Sequence, residues 1–92
     1  MTKFADVKLD TTTWTKLTDI DGCDAITVGN KIELYNAGTG EILYCEENSS
    51  DPTDATFAKT LKPHHVARFV YCANFYVKSA CGTAKMIVSD YA

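Results

Sequence analysis

Three groups of side chains in this sequence can do chemistry: the adjacent His64 and His65, the cysteines at 23, 45, 72 and 81, and the carboxylates of Asp19-Ile20-Asp21-Gly22-Cys23-Asp24. A histidine pair suits a metal ion or general-base work. Neighbours on an extended chain point to opposite sides, however, so the two rings do not readily share one metal. Lys62-Pro63-His64-His65 reads instead as a turn whose histidines have no task, with Pro63 excluding a continuous ladder. The cysteines contain no Cys-x-x-Cys pair, and a zinc site would need distant strands to converge. An even number permits two disulfides in a secreted chain. Met1-Thr2-Lys3-Phe4-Ala5-Asp6 has no apolar leader segment, so the expectation is buried, reduced thiols acting as small apolar groups in a chain made in a cytoplasm. The acidic stretch has the aspartates and glycine of a calcium loop. Its spacing fails, because Gly22 arrives too early and Asn30 stands where a bidentate glutamate belongs, which leaves solvated turn aspartates.

Other chemistry is missing too. Gly38-Thr39-Gly40 lacks the third glycine and the helical pattern of a phosphate loop. There is no Gly-x-Ser-x-Gly, P-loop or His-Glu-x-x-His pattern, and the paired carboxylates lie in acidic loops where nothing raises a pKa. The expectation is a chain with no catalytic residue, no metal and no cofactor, and so not an enzyme.

The elements that would position any site are strands. Phe75–Ser79 and Ala84–Tyr91 are rich in β-branched and aromatic residues and flank a short glycine-containing segment, the pattern of a β-hairpin. A two-residue turn at Cys81-Gly82 sets Val77 opposite Met86 and Phe75 opposite Val88, with Gly82 at positive φ and Lys78 facing Lys85. Ala25–Val28 and Lys31–Asn36 alternate as strands, with Ile26, Val28, Ile32 and Leu34 inward and Gly29-Asn30 as the hairpin turn. Glu41–Glu46 is a short strand with Ile42 and Tyr44 on one face. Thr56–Leu61 is a weaker one carrying Phe57 and Leu61. Val66–Ala73 is the most apolar and is expected to be central. Thr11–Thr18 has strong β propensity, but Trp14 and Leu17 have opposite parity and cannot share one face of a flat strand. Glu47–Ala55 is the one long polar loop, a candidate contact segment. Seven or eight short strands with frequent turns predict an all-β fold, a small β-sandwich or jelly-roll-like pair of antiparallel sheets. Residues 1–13 are read as an N-terminal arm or edge strand and 14–92 as a single sandwich domain.

Composition sets further bounds. Ninety-two residues make one domain that buries roughly 64% of its extended surface, enough for a core but with little area for a deep cleft. The longest apolar run, Phe69–Ala73, is far too short to span a membrane. The net charge of −3 argues against a nucleic-acid binder, whose phosphate contacts need clustered cations. That charge is uneven: residues 1–55 hold eleven acids and four lysines, whereas 56–92 hold five cations against Asp90. Either the surface is bipolar and docks on copies of itself, or the halves interleave and the charges mix.

Four pieces carry a resemblance: Trp14-Thr15-Lys16-Leu17-Thr18, Ala25-Ile26-Thr27-Val28-Gly29-Asn30, Leu61-Lys62-Pro63 before a strand, and Tyr76 to Val88 with its Gly82-Thr83-Ala84 turn. Together they resemble small virion proteins of tailed bacteriophages. His64 follows Pro63 where those proteins often have glycine. The resemblance implies a structural protein of a phage particle, on the capsid exterior, that decorates or cements the head as a β-sandwich homotrimer bound to the major capsid protein. Its contact residues are expected in the arm (Phe4, Val7, Leu9) and the long loop (Asn48, Ser49, Asp51, Pro52). A tail, neck or fibre-attachment component is the alternative within that group. A carbohydrate-binding β module is the alternative outside it, with Trp14, Tyr35, Tyr44 and Tyr76 as stacking platforms.

Overall fold

A computed structural model describes residues 3–11, 14–46, 58–72 and 74–91, and among them the chain forms eight strands. These are β1 (Lys3–Leu9), β2 (Thr15–Lys16), β3 (Lys31–Asn36), β4 (Ile42–Glu46), β5 (Lys59–Leu61), β6 (Val66–Val70), β7 (Phe75–Ser79) and β8 (Ala84–Asp90). Their pairing follows one rule. β1 pairs with β8, β2 with β7, β3 with β6 and β4 with β5, all antiparallel. The chain is therefore one long hairpin, bent between β4 and β5. Rolling that hairpin up adds the lateral pairs β3–β8 and β4–β7. The result is two four-stranded sheets, β1-β8-β3-β6 and β2-β7-β4-β5. This is the double-sheet order of a jelly roll, and it is the all-β sandwich that the strand pattern predicts.

The inner faces meet in one core. Alternation along β3 buries Ile32, Leu34 and Asn36; along β8 it buries Ala84, Met86 and Val88. Phe75 and Val77 of β7, Ile42 of β4 and Leu61 of β5 close the core from the second sheet. Each sheet alternates strands from the acidic and basic halves of the sequence, so the charges interleave and no bipolar surface arises from sequence position alone.

The expected hairpin at Phe75–Tyr91 does not form. β7 and β8 lie in different sheets, and residues 80–83 carry the chain across the sandwich. Alternation decides which side chains face inward; it does not decide whether the next strand lies beside the first or across from it. Val77, Met86, Phe75 and Val88 are all buried in one cluster, as their spacing requires, but they meet from opposite layers. Gly82 does take positive φ (+64°), and Ser79 Oγ closes the crossing by donating to the Gly82 carbonyl at 2.7 Å. Lys85 stands opposite Lys8 rather than Lys78.

Three other expectations are corrected. Ala25–Val28 is a series of turns, because Asn30 satisfies Thr27 locally: its Oδ1 accepts the Thr27 N–H at 2.9 Å, which competes with a ladder. Ile26 is buried there, but Val28 is 68% exposed. Val66–Ala73 is not central; its strand ends at Val70 and forms the edge of its sheet. Among the described residues of the Thr11–Thr18 stretch, Thr15–Lys16 form strand before a 3-10 turn at Leu17–Asp19. That turn resolves the parity conflict: Leu17 is fully buried, while Trp14 is half-buried with the Lys78 ammonium 5.2 Å from its ring centre. The cysteines divide as well. Cys23 is buried as expected and Cys45 half-buried, but Cys72 and Cys81 are exposed because both lie in segments between strands, which run over the surface.

Candidate functional site

An open sheet edge is a row of unpaired backbone donors and acceptors, and proteins usually guard it. In this chain β1 has a register irregularity between Lys3 and Ala5 and exposes Lys3, Asp6 and Lys8. β2 is two residues long, and β5 is three with Lys59 exposed. β6 is different. It has five residues in continuous register with β3, without proline, lysine or bulge.

Its outward side chains are Val66, Arg68 and Val70, with Ala67 and Phe69 turned to the core. Val66 is 49% and Val70 56% exposed, and with Val28 they are the large apolar side chains exposed among the described residues. Val28 sits beside the same strand, since the next residue, Gly29, donates its N–H to the Tyr71 carbonyl at 2.9 Å. The charge between the valines is compensated: Arg68 Nε donates to Glu33 Oε1 at 2.8 Å, and its guanidinium lies 5.1 Å from the Tyr91 ring centre. Across the outer face, register lines up Val66, Tyr35, Ile87 and Asp6 on four successive strands. An apolar strip with an anchored arginine and aromatic rings has the composition of an interface core.

The edge is rigidly backed. Phe69 of β6 stacks on Phe75 of β7 with ring centres 4.0 Å apart and planes 6° from parallel, and Tyr44 of β4 follows at 5.9 Å. This column ties β6 to the opposite sheet. A cavity of about 310 Å³ opens beside it, with Lys59 and Cys45 at its wall. At its start β6 is held by the 62–65 turn: His64 N–H donates to the Asn36 carbonyl at 2.8 Å, and Asn36 N–H donates to the His65 carbonyl at 3.1 Å. His64 takes positive φ (+63°) to do this, at the position where the resembling proteins often have glycine.

The residues singled out from sequence are scattered. Leu9 is 4% exposed, and its apolar surface is buried in the core of the chain itself. Phe4 and Val7 are half-buried against the same core. Asn48, Ser49, Asp51 and Pro52 lie outside the described residues, as does Phe57. The aromatic platform is not assembled: Tyr76 is 3% exposed, Trp14 lies under Lys78, Tyr44 stacks on Phe75, and Tyr35 faces outward with its hydroxyl 3.2 Å from His64 Nδ1. His64 and His65 have separate roles in one turn. The β6 edge does not follow from the apolar run Val66–Ala73, since a run that only Arg68 interrupts predicts a strand buried on both sides. The signal lay in Val66-x-Arg68-x-Val70, a period of two with an arginine in the outward set.

No protein-family model matches the chain, and no curated protein or solved structure does. No helix among the described residues is long and apolar enough to cross a membrane.

Proposed function

We propose that this chain is a structural subunit of a virus particle, a decoration protein that docks on the outside of a tailed-phage head and adds binding free energy to the shell. The observation that carries the reading is the regular β6 edge, which no strand among the described residues covers, with Val66 and Val70 exposed on it. An extended segment of the major capsid protein adds to β6 as a ninth strand, its backbone bonds giving affinity and the valines giving contact specificity. The jelly-roll order supports this at the level of fold analogy, since capsid and lectin domains share it. The protein works by touch, without a cofactor and without turnover. Summed over many copies, modest affinities per site hold a shell together. A homotrimer places three such edges around one axis.

Antibody against the chain, applied to particles from its source, labels the whole head surface. Label confined to the tail moves the protein to the tail or neck, and unlabelled particles refute a virion role. With shells stripped of the protein, a Val66→Gln/Val70→Gln variant rebinds at least about tenfold more weakly while its stability changes by less than about 1 kcal/mol, because both side chains are about half exposed and no like charge is set opposite Lys31. Wild-type affinity in that variant would remove β6 from the contact.

A further inference from the structure

Around the start of β6, on the opposite margin of the β1-β8-β3-β6 sheet from Val70, the surface has another character. Lys8 and Lys85 are directly opposed on β1 and β8, both exposed. Like charges in register, with Cβ atoms about 5 Å apart, repel. Among the described residues no ion pair involves either ammonium; the two that form are Lys3–Asp6 at 2.8 Å and Arg68–Glu33. Between the pair and the 37–39 turn runs a groove of about 460 Å³ whose wall also contains Thr39, Thr83 and His64. Among the described residues no aspartate or glutamate lines it; Asp6 lines the adjoining hollow that shares Lys8 and Lys85. The turn is drawn tightly onto β8, with the Ala37 N–H donating to the Lys85 carbonyl at 3.0 Å and Gly38 too close to Lys85 for a side chain to fit without a shift. Tyr35 positions the imidazole through a hydrogen bond of 3.2 Å between its hydroxyl and His64 Nδ1. The polar residues of the wall are thus two lysines, two threonines and a histidine, in a chain whose net charge is −3.

We propose that this groove is an anion site for a phosphate monoester carried by a small soluble molecule. Two ammoniums match a dianion, and charge-assisted hydrogen bonds from lysine and hydroxyl groups are the usual means of holding one. The volume exceeds what phosphate alone fills and is in the range of small-ligand sites, leaving room for a sugar-sized group. His64 brings the groove to within two residues of Val66, but its two lysines lie on β1 and β8, and the site does not depend on the docking role.

The test is an amide chemical-shift titration of the whole chain with inorganic phosphate, glucose 1-phosphate and glucose, at fixed pH and ionic strength. Saturable shifts are expected at Gly38, Thr39, Thr83 and Lys85, with glucose 1-phosphate tighter than inorganic phosphate and glucose inert. Lys8→Gln and Lys85→Gln each weaken binding by at least about tenfold, and Lys31→Gln, at the far end of the same sheet face, does not. The lysine variants remain folded, since each relieves a repulsion, and unfolding curves verify it. Shifts that do not saturate, that sodium chloride reproduces at equal ionic strength, or that survive Lys85→Gln overturn the proposal.

Discussion

Asn36 is the residue whose replacement tests the architecture most directly. It is fully buried at the end of β3. Its Nδ2 donates to the Leu61 carbonyl of β5 in the opposite sheet at 3.0 Å and to the Gly40 carbonyl at 2.7 Å, while Oδ1 accepts the Gly38 N–H at 3.1 Å. One amide therefore joins the two layers and shapes the β3–β4 link. Asn36→Ala leaves three backbone groups without their partner. A buried acceptor left unpaired costs about 1–3 kcal/mol, and the two groups nearer the surface recover part of their loss from water, so about 3 kcal/mol in total is expected. Against the roughly 5–14 kcal/mol that a domain of this length holds, that is a large share. It corresponds to a fall in Tm of about 12–24 °C. Urea unfolding followed by the single tryptophan, Trp14, measures it, with the midpoint lowered and the slope retained.

Asn36→Asp sharpens the test by keeping the shape. At neutral pH it sets a carboxylate against two carbonyl oxygens in a dry site, which raises the folded pKa of the introduced carboxyl above its unfolded value of about 3.9. The folded variant then binds more protons than the unfolded one above that value, so its stability falls as pH rises through and beyond about 4. The variant should be weakest relative to wild type at pH 7 and recover as the medium is acidified. A cost under about 1 kcal/mol for Asn36→Ala, or a penalty for Asn36→Asp that does not shrink in acid, would refute the inter-sheet role.

Two further outcomes follow from other sites. Gly22 and Gly29 both have positive φ (+92° and +98°), but a Cβ on Gly22 would overlap the Phe4 carbonyl of β1 whereas one on Gly29 meets nothing. Gly29→Ala should cost about 1 kcal/mol of backbone strain and Gly22→Ala at least about 2, since β1 must also move; equal losses in thermal unfolding would contradict this. Burial, and then the charge of Asp24, pushes the Cys23 thiol up to about 11 from its ordinary 9.0. The folded state thus keeps a proton the unfolded state releases between those values, so stability contributed by the neutral thiol is intact below pH 9 and lost as pH rises toward 11. A Cys23→Ala variant should lack that part of the alkaline decline, and a thiol reagent at pH 8 should label the exposed Cys81 while sparing Cys23 until the protein unfolds.

Within the segments that do form strands, the period of two was legible in the sequence, whereas at Val28 a local turn overrode it. Ile32/Leu34, Phe75/Val77 and Met86/Val88 face inward as their alternation requires. Pairing was not legible, and the reason lies in the roll. Every connection except β4–β5 passes from one sheet to the other, so short turns such as Gly29-Asn30 and Cys81-Gly82 do not join neighbouring strands. Turn chemistry reports local φ, as the positive values at both glycines show, and is silent on the layer in which the next strand lands. The one sequential pair, β4–β5, is separated by the stretch least like a hairpin turn, residues 47–58. The Lys8–Lys85 opposition was invisible for the same reason: it joins the first strand to the last, through a register that no local pattern encodes.

The same roll explains why the exposed features fall where they do. In a hairpin wound on itself, the inner pairs of strands are covered laterally as the turns accumulate, and four strands are left as edges: β1, β6, β2 and β5. Two of these are too short to template another strand, and β1 carries alternating charge and an irregular register. Among the described residues only β6 is left as a long edge with no strand beside it. Its position is set from both ends of the core, by the Phe69–Phe75 stack within and by the backbone bonds between Asn36 and the His64-His65 turn at its start. A rigid edge loses little conformational entropy when a partner strand is added, which is the condition under which a few backbone bonds and two valines give useful affinity. Asn36 therefore bears on the proposed docking as well as on stability: the side chain that ties the layers belongs to the residue whose backbone fixes the entry to β6.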